Sequence, residues 1–501
     1  MLFEPIQINR VVLANRIVLP AMVTRLAGED GHVNQDIVDR YVRFAKGEPG
    51  LIVVEAMAVH SAKSGPLLRI SSDEYLPGLR RLADEVHAVS PSKVVPQIIH
   101  FLKISRSGYR QTIDSLATED IAAIVEQYAV AAVRARMAGF DGVELHMAHA
   151  YTLASFLSRL NPRRDDYGGS LENRLRLPTE VLARTRRAVG DDFLIGVRFL
   201  GEECIKDGYT VRDAVHIAER LARAGADYLS LSVGGKFEDA VQRPGEVLYP
   251  YTGYSGERCM PGSNYPDGAN LHIAKAVRTH LRAAGIDTPV IASGKIGSLD
   301  VAENALAQGK ADLVGMARAL LADPDLPKKW RSGHEDRVVR CLYGNVCKAL
   351  DEKFKRVVCT LWPKGSLNAP LSADVEAPRW PEDGAQLTAT CATGRVVLTW
   401  RSASDNEGMY GYQLFRSEDD GPFVHYASLR ARSTRFEDGR VLSGHRYRYF
   451  VRPYDLAGNR GPQSETVEVV LSAFGSFETS SNTAETPSVP VHGTCSRLEV
   501  S

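Results

Sequence analysis

The chain has 501 residues, more than one hydrophobic core usually supports, so at least two domains are expected. Its 61 Lys and Arg are balanced by 61 Asp and Glu, which leaves no long-range field and argues against nucleic-acid or anionic-membrane partners. The N-terminal residues lack a basic stretch leading into an apolar one, no apolar run is long enough to span a bilayer, and seven cysteines are too few for a disulfide framework; a soluble, cytoplasmic protein with reduced thiols or a metal cluster is expected.

Eight short apolar or β-branched runs follow in order, at residues 17–20, 50–55, 94–97, 142–146, 194–198, 228–232, 289–292 and 313–315. Helix-like stretches separate them: 118–137, with acidic Glu119 and Asp120 in its first turn, then 171–189, 211–224 and 271–284. Strand and helix alternating eight times predict a closed (β/α)8 TIM barrel rather than an open sheet. No Gly-x-Gly occurs anywhere in the chain, so a dinucleotide-binding Rossmann unit is not expected.

The fourth run ends in His146, followed by His149 and Tyr151. At the C-terminal end of a barrel strand these two imidazoles and one phenol would face the catalytic mouth, suited to holding a carbonyl oxygen and moving a proton. A His-x-x-His pair also begins many zinc sites. Here no His-Glu-x-x-His helix surrounds it and no acidic third ligand follows, so metal ligation is set aside. Glycines and cations after the seventh and eighth strands, Gly294, Lys295, Gly315 and Arg318, form the kind of place where this fold holds a phosphate. Gln97 offers a donor and an acceptor on one amide, and Arg198 a fixed cation for an anionic ring.

After Lys364 the texture changes. Pro378 and Pro381 interrupt a polar linker, and period-two runs at 396–400, 410–415 and 447–451, divided by turn clusters at 404–408, 418–421 and 456–459, predict an antiparallel sandwich. The Ser- and Thr-rich stretch 472–501 is expected to be largely disordered. The expected organisation is a barrel over 1–340, a cysteine-containing segment and linker over 341–375, a sandwich over 376–471, and the tail.

Asn15-Arg16 leading to Pro20-Ala21-Met22, the run 50–56, Gln97 to His100, the group 146–151 and the stretch Asp165 to Arg174 occur in an order that resembles the old yellow enzyme family of FMN-dependent oxidoreductases, over roughly the first 370 residues. The resemblance implies that Pro20, Ala21, Met22 and Ala56 line the flavin and that Gln97 bonds its pyrimidine edge. It also implies Arg198 near flavin N1, and Gly294, Lys295, Gly315 and Arg318 around the phosphate. His146 and His149 would then bond a substrate carbonyl while Tyr151 protonates the α-carbon. The implied activity is an ene-reductase, drawing hydride from NAD(P)H for an α,β-unsaturated carbonyl compound or an enoyl or dienoyl thioester. An amine dehydrogenase or demethylase of the trimethylamine dehydrogenase kind is the second reading, and a flavin-binding scaffold without turnover the third.

Departures from the family pattern bear on electron supply and on the pocket. Cys341, Cys347 and Cys359 resemble the cluster ligands of the branch containing 2,4-dienoyl-CoA reductase and trimethylamine dehydrogenase, but Gly344 stands in the second cysteine's place. Four thiolates are the usual requirement, so three leave an altered cluster, an outside ligand or no cluster at all; an intact [4Fe-4S] cluster is not expected, and electrons would come from NAD(P)H or a separate donor protein. Met147 and the turn His100-Phe101-Leu102-Lys103 are expected to add bulk to the pocket, and Val23 replaces a hydrogen-bonding residue near the flavin. The sandwich resembles a fibronectin type III domain, with Trp400 as core tryptophan and Tyr447 as tyrosine corner, and is expected to act as a spacer or to cover part of the barrel or of a homo-oligomer interface.

Overall fold

The computed structural model describes residues 1–62, 65–370, 376–392, 394–406, 409–455 and 459–471, and the backbone of Cys495–Ser496. It divides into two compact units, the first Met1–Thr360 with Gly365–Ala369, the second Leu361–Lys364 with Pro370–Ser501. The cysteine-containing segment to Thr360 thus belongs to the first unit, and that unit ends later than residue 340.

The first unit opens with a hairpin, β1 (Ile6–Ile8) and β2 (Val11–Leu13), turned at Asn9 with φ 52°. Eight parallel strands follow: β3 (Ile17–Leu19), β4 (Leu51–Ala58), β5 (Lys93–Ile99), β6 (Gly142–Met147), β7 (Leu194–Leu200), β8 (Tyr228–Ser232), β9 (Val290–Ser293) and β10 (Leu313–Gly315). They close in chain order, with β10 pairing back onto β3. Helices cover the outside, so strands such as β6 and β7 are buried along their whole length and read as continuous apolar runs.

The helix boundaries have local causes. The Asp120 carboxylate accepts from the Ala117 N–H at 2.8 Å and starts Thr118–Met137; Ser170 caps Leu171–Val189, and Thr210 with Asp213 forms a reciprocal capping box before Val211–Arg223. Helix Thr118–Met137 also reaches the barrel mouth, because the Tyr128 hydroxyl accepts from the His100 N–H at 2.9 Å.

The barrel is filled at its N-terminal end. Gly196 lacks a side chain where a Cβ would stand 1.9 Å from Tyr228 Cζ, so the Tyr228 ring occupies the interior. Around it pack Val18, Leu51, Val53, Val95, Leu194, Ile291 and Leu313, with Ile8 and Leu13 of the hairpin in the same cluster. The stretch 161–174 is structural: Arg163 Nη1 donates to the Ile113 and Leu116 carbonyls at 2.6 and 2.8 Å, and Arg174 Nη1 to Leu157 O at 2.6 Å, fixing the chain that leaves β6.

The second unit contains a three-stranded antiparallel sheet, β11 (Thr388–Ala392), β12 (Arg395–Thr399) and β15 (Arg435–Asp438), and a five-stranded one. The latter comprises β13 (Met409–Glu418), β14 (Val424–Arg430), β16 (Arg446–Asp455), β17 (Val467–Leu471) and β18 (Cys495–Ser496). Trp400 is buried in the shared core, its ring 5.6 Å from that of Tyr412, and the Tyr447 hydroxyl accepts from the Leu442 N–H at 2.9 Å, the bond a tyrosine corner makes. Residues 407–408 of the turn expected at 404–408, residues 456–458 of that expected at 456–459, and nearly all of the tail expected to be disordered lie outside the described residues. No helix among the described residues is long and apolar enough to cross a membrane.

Candidate active site

A cavity of about 1070 Å³ opens at the C-terminal ends of the barrel strands. Strand register sets its chemistry: Gln97 pairs with Glu144, His146 with Arg198, Arg198 with Ser230, and Ser293 with Gly315. Polar side chains from consecutive strands therefore stand at one level. Pro20, Ala21, Met22, Val23 and Ala56 line the cavity beside Gln97 and Arg198.

Gln97 Nε2 donates to Glu144 Oε1 at 2.7 Å, which fixes its amide and leaves the carbonyl oxygen for another partner. Burial drives the Glu144 carboxyl upward, opposed by Arg198 and by the Gln97 bond. Arg198 Nη1 donates to Ser230 Oγ at 2.9 Å.

His146, His149 and Tyr151 all line the cavity. The Ala148 N–H donates to His146 Nδ1 at 3.2 Å, so a neutral His146 carries its proton on Nε2, which stands 3.3 Å from His149 Nδ1; His149 Nε2 then donates to Ser232 Oγ at 2.7 Å. Burial, reinforced by Arg198, lowers His146 to about 3, and burial with His146 and Arg198 takes His149 well below the ordinary range, so both rings are uncharged near neutrality. Burial lifts the Tyr151 phenol to about 12, keeping it protonated, and its ring lies 5.3 Å from that of His146. Met147 is fully buried in the barrel wall and does not line the cavity, because alternate residues on β6 face opposite ways; the expected pocket bulk comes from Phe101, Leu102 and Lys103 alone.

At the far side, Gly294 (φ 125°) and Gly315 present bare backbone, and the buried Ser293 hydroxyl beside them makes no hydrogen bond within the protein. An unpartnered buried hydroxyl next to an open backbone fits the phosphate or ribityl oxygens of FMN. Arg318 is close by but shared, its Nη1 donating to Pro261 O at 2.8 Å and Asn345 Oδ1 at 2.6 Å. The Lys295 ammonium bonds the Ser263 and Tyr265 carbonyls, so its side chain braces the 263–267 loop.

Among the further cavity residues that the strand-end pattern did not single out are Arg25, Tyr249, Tyr251, Asp351 and Phe354. Tyr251 stacks edge-on between His149 and Tyr249, at 5.4 and 5.2 Å, and lines the cavity with Tyr151. The paired aromatic residues of the 249–251 loop were the available sequence signal; Arg25 and Asp351 carried none.

None of the six described cysteines is in a disulfide. Burial pushes the Cys341 thiol up to about 11 and raises Cys347 beside Arg318, while Cys359 lies near Arg40. Among the described residues, the groups of three metal-capable side chains with ligand atoms within 4.8 Å are His216/Glu219/His280 and Glu418/Asp419/His445, not the cysteines. With Gly344 in the place of a fourth ligand, Cys341, Cys347 and Cys359 fall one thiolate short of a four-thiolate cluster.

A family profile described as NADH:flavin oxidoreductase / NADH oxidase matches residues 1–251 and 265–337. An NADH oxidase of Thermoanaerobacter brockii is 32% identical over 400 residues, covering 75% of this chain and 58% of that protein. An N,N-dimethylglycine/sarcosine dehydrogenase of Chromohalobacter salexigens is 32% identical over 377 residues, covering 71% and 51%. This chain therefore spans little more than half the length of these relatives. A solved 2-naphthoyl-CoA reductase in complex with 2-naphthoyl-CoA superposes with a TM-score of 0.62 at 26% identity, covering 72% of this chain and 56% of that one.

Proposed function

The chain belongs to the NADH:flavin oxidoreductase / NADH oxidase family, and from that premise we propose that it reduces the carbon–carbon double bond of an α,β-unsaturated carbonyl compound, an enoyl thioester included, at the expense of NAD(P)H. The observation that carries this reading is the row His146, His149 and Tyr151: two uncharged imidazoles and a protonated phenol gathered at the barrel mouth. Bound FMN would supply the hydride relay from nicotinamide to the β-carbon. The substrate oxygen takes over N–H donation from the imidazoles, and because negative charge grows on that oxygen only as the bond order changes, these donors favour the transition state over the ground state. Tyr151 delivers the proton to the α-carbon, with the Tyr251 phenol on the same cavity wall. Gln97, clamped by Glu144, and the unpartnered Ser293 support flavin binding at two ends of the cavity.

The test is anaerobic mixing of the FMN-loaded protein with NADH or NADPH and then with 2-cyclohexenone. Bleaching of the flavin followed by enone-dependent recovery is the expected sequence; no bleaching by either nucleotide would sink the proposal. Tyr151→Phe should slow the enone step by roughly a hundredfold while leaving reduction by nicotinamide within about twofold.

A second reading, oxidation of an N-methylated amine, draws support from the aromatic wall of Tyr151, Tyr249, Tyr251 and Phe354 and from the dimethylglycine/sarcosine dehydrogenase relative. It stands second because Arg25 already lies over Phe354 at 4.4 Å, so that part of the wall holds a cation of the protein's own. Anaerobic bleaching by N,N-dimethylglycine in the absence of nicotinamide would reverse the order.

A further inference from the structure

Arg25 is six residues beyond β3, in none of the positions assigned to flavin or to proton transfer. It is only 7% exposed and sits at φ 54°, in the left-handed region that non-glycine residues enter at a cost and hold only where their surroundings demand it. Those surroundings fix the guanidinium on three sides. Nε donates to Asp351 Oδ1 at 2.7 Å, Nη2 donates to the Tyr249 hydroxyl at 3.2 Å, and the ring of Phe354 lies beneath at 4.4 Å. The Tyr249 hydroxyl in turn donates to Asp351 Oδ2 at 2.5 Å. Each carboxylate oxygen of Asp351 thus has a donor, and Tyr249 has both a donor and an acceptor.

One nitrogen is left over. Nη1 bonds no protein atom and is not among the buried atoms sealed from solvent, and Arg25 lines the cavity together with Tyr151, Tyr249 and Tyr251. Burial opposes the charge, but Tyr249 and Asp351 outweigh it and hold the guanidinium firmly protonated. A charged donor with a fixed orientation and an open edge toward a substrate cavity is a receptor for an anion, and a planar carboxylate matches its geometry.

We infer that Arg25 anchors a carboxylate carried by the substrate at a point remote from its reacting carbon. This rests on the proposed reaction and narrows its substrate class to unsaturated carbonyl compounds bearing a second, anionic group. The span follows from the wall between the two ends: the Tyr249 and Tyr251 rings, 5.2 Å apart, lie between Arg25 and His149. A substrate lying along those rings puts its carbonyl oxygen at the imidazoles and its carboxylate at Nη1. Asp351 keeps the empty site near neutral, so the guanidinium is tolerated without ligand.

The experiment uses the FMN-loaded full chain and two probes of one shape, 4-formylbenzoate and its neutral partner 4-formylbenzamide, with affinities read by equilibrium dialysis and by perturbation of the flavin spectrum. The expected result is a preference for the anion of roughly tenfold or more. Arg25→Gln should bring the ratio to about one. Asp351→Asn, which removes the competing negative charge, should raise it several-fold and decides the matter if the first variant does not fold. A ratio near one in the unaltered protein, an unchanged ratio in Arg25→Gln, or an unchanged or smaller ratio in Asp351→Asn overturns the inference. Selective binding of the anion by a protein that fails to reduce enones would instead reject the reaction and leave the anchor standing.

Discussion

His149 and Ala150 both carry left-handed φ, 56° and 59°, a conformation that costs of order 1 kcal/mol or more at each non-glycine position. The two turns swing the His149 ring back over His146, which places two imidazoles where an extended chain would place one. Their burial keeps them neutral, with His146 near 3 and Tyr151 near 12. No group of this row should therefore titrate between about pH 5 and 9, and the enone half-reaction, followed by stopped-flow absorbance, should be flat across that range; an inflection near the ordinary histidine value would show that one ring is charged in the reduced enzyme. Glu55 behaves differently. It accepts from the Thr24 N–H at 2.9 Å and from the Thr24 hydroxyl, which holds the turn that carries Arg25, and burial raises its carboxyl from about 4.5 to about 7. The fold prefers its protonated form, so its contribution to stability is full below about pH 4.5 and is lost as pH rises through 7, by on the order of 3 kcal/mol. Glu55→Gln should flatten that decline in denaturant midpoints measured from pH 4.5 to 8; a slope equal to that of the unaltered protein would assign it to other groups.

Among the elements, barrel strands were the most legible, because helices cover them outside and side chains fill them inside, so each reads as an unbroken apolar run. Tyr228–Ser232 and Leu313–Gly315 have the limits expected from sequence, whereas β4 runs on to Ala58 because pairing with β5 resumes past an irregularity between Val54 and Met57. The β1–β2 hairpin was missed: its strands are three residues each and Val12 is exposed, although Asn9 in left-handed geometry is a recognised turn signal. The site residues at strand ends were readable for the same reason the strands were. Arg25, Tyr249, Tyr251 and Asp351 were not, since they come from loops and a late helix that only the closed fold brings together. Gly344, in the cysteine segment, has no atom within 4 Å of where a Cβ would stand. Gly344→Cys should consequently fold as well as the parent and, after anaerobic incubation with iron and sulfide, acquire an iron–sulfur absorption band that the parent lacks; an equal band in the parent would mean that three cysteines suffice.

At the scale of the whole molecule, the chain is two compact units with separate cores, and the chemistry argued for lies in the first. In that unit Tyr228 fills the room left by Gly196, and the hairpin Ile6–Leu13 packs beneath it. The barrel is consequently a cup, not a pipe. On the proposed reaction, electron donor and electron acceptor enter and leave over one rim and take turns there, so each in excess should obstruct the other. Initial velocities recorded against donor at several fixed acceptor levels should then give parallel reciprocal lines; lines that intersect would mean that the cup holds both guests at once.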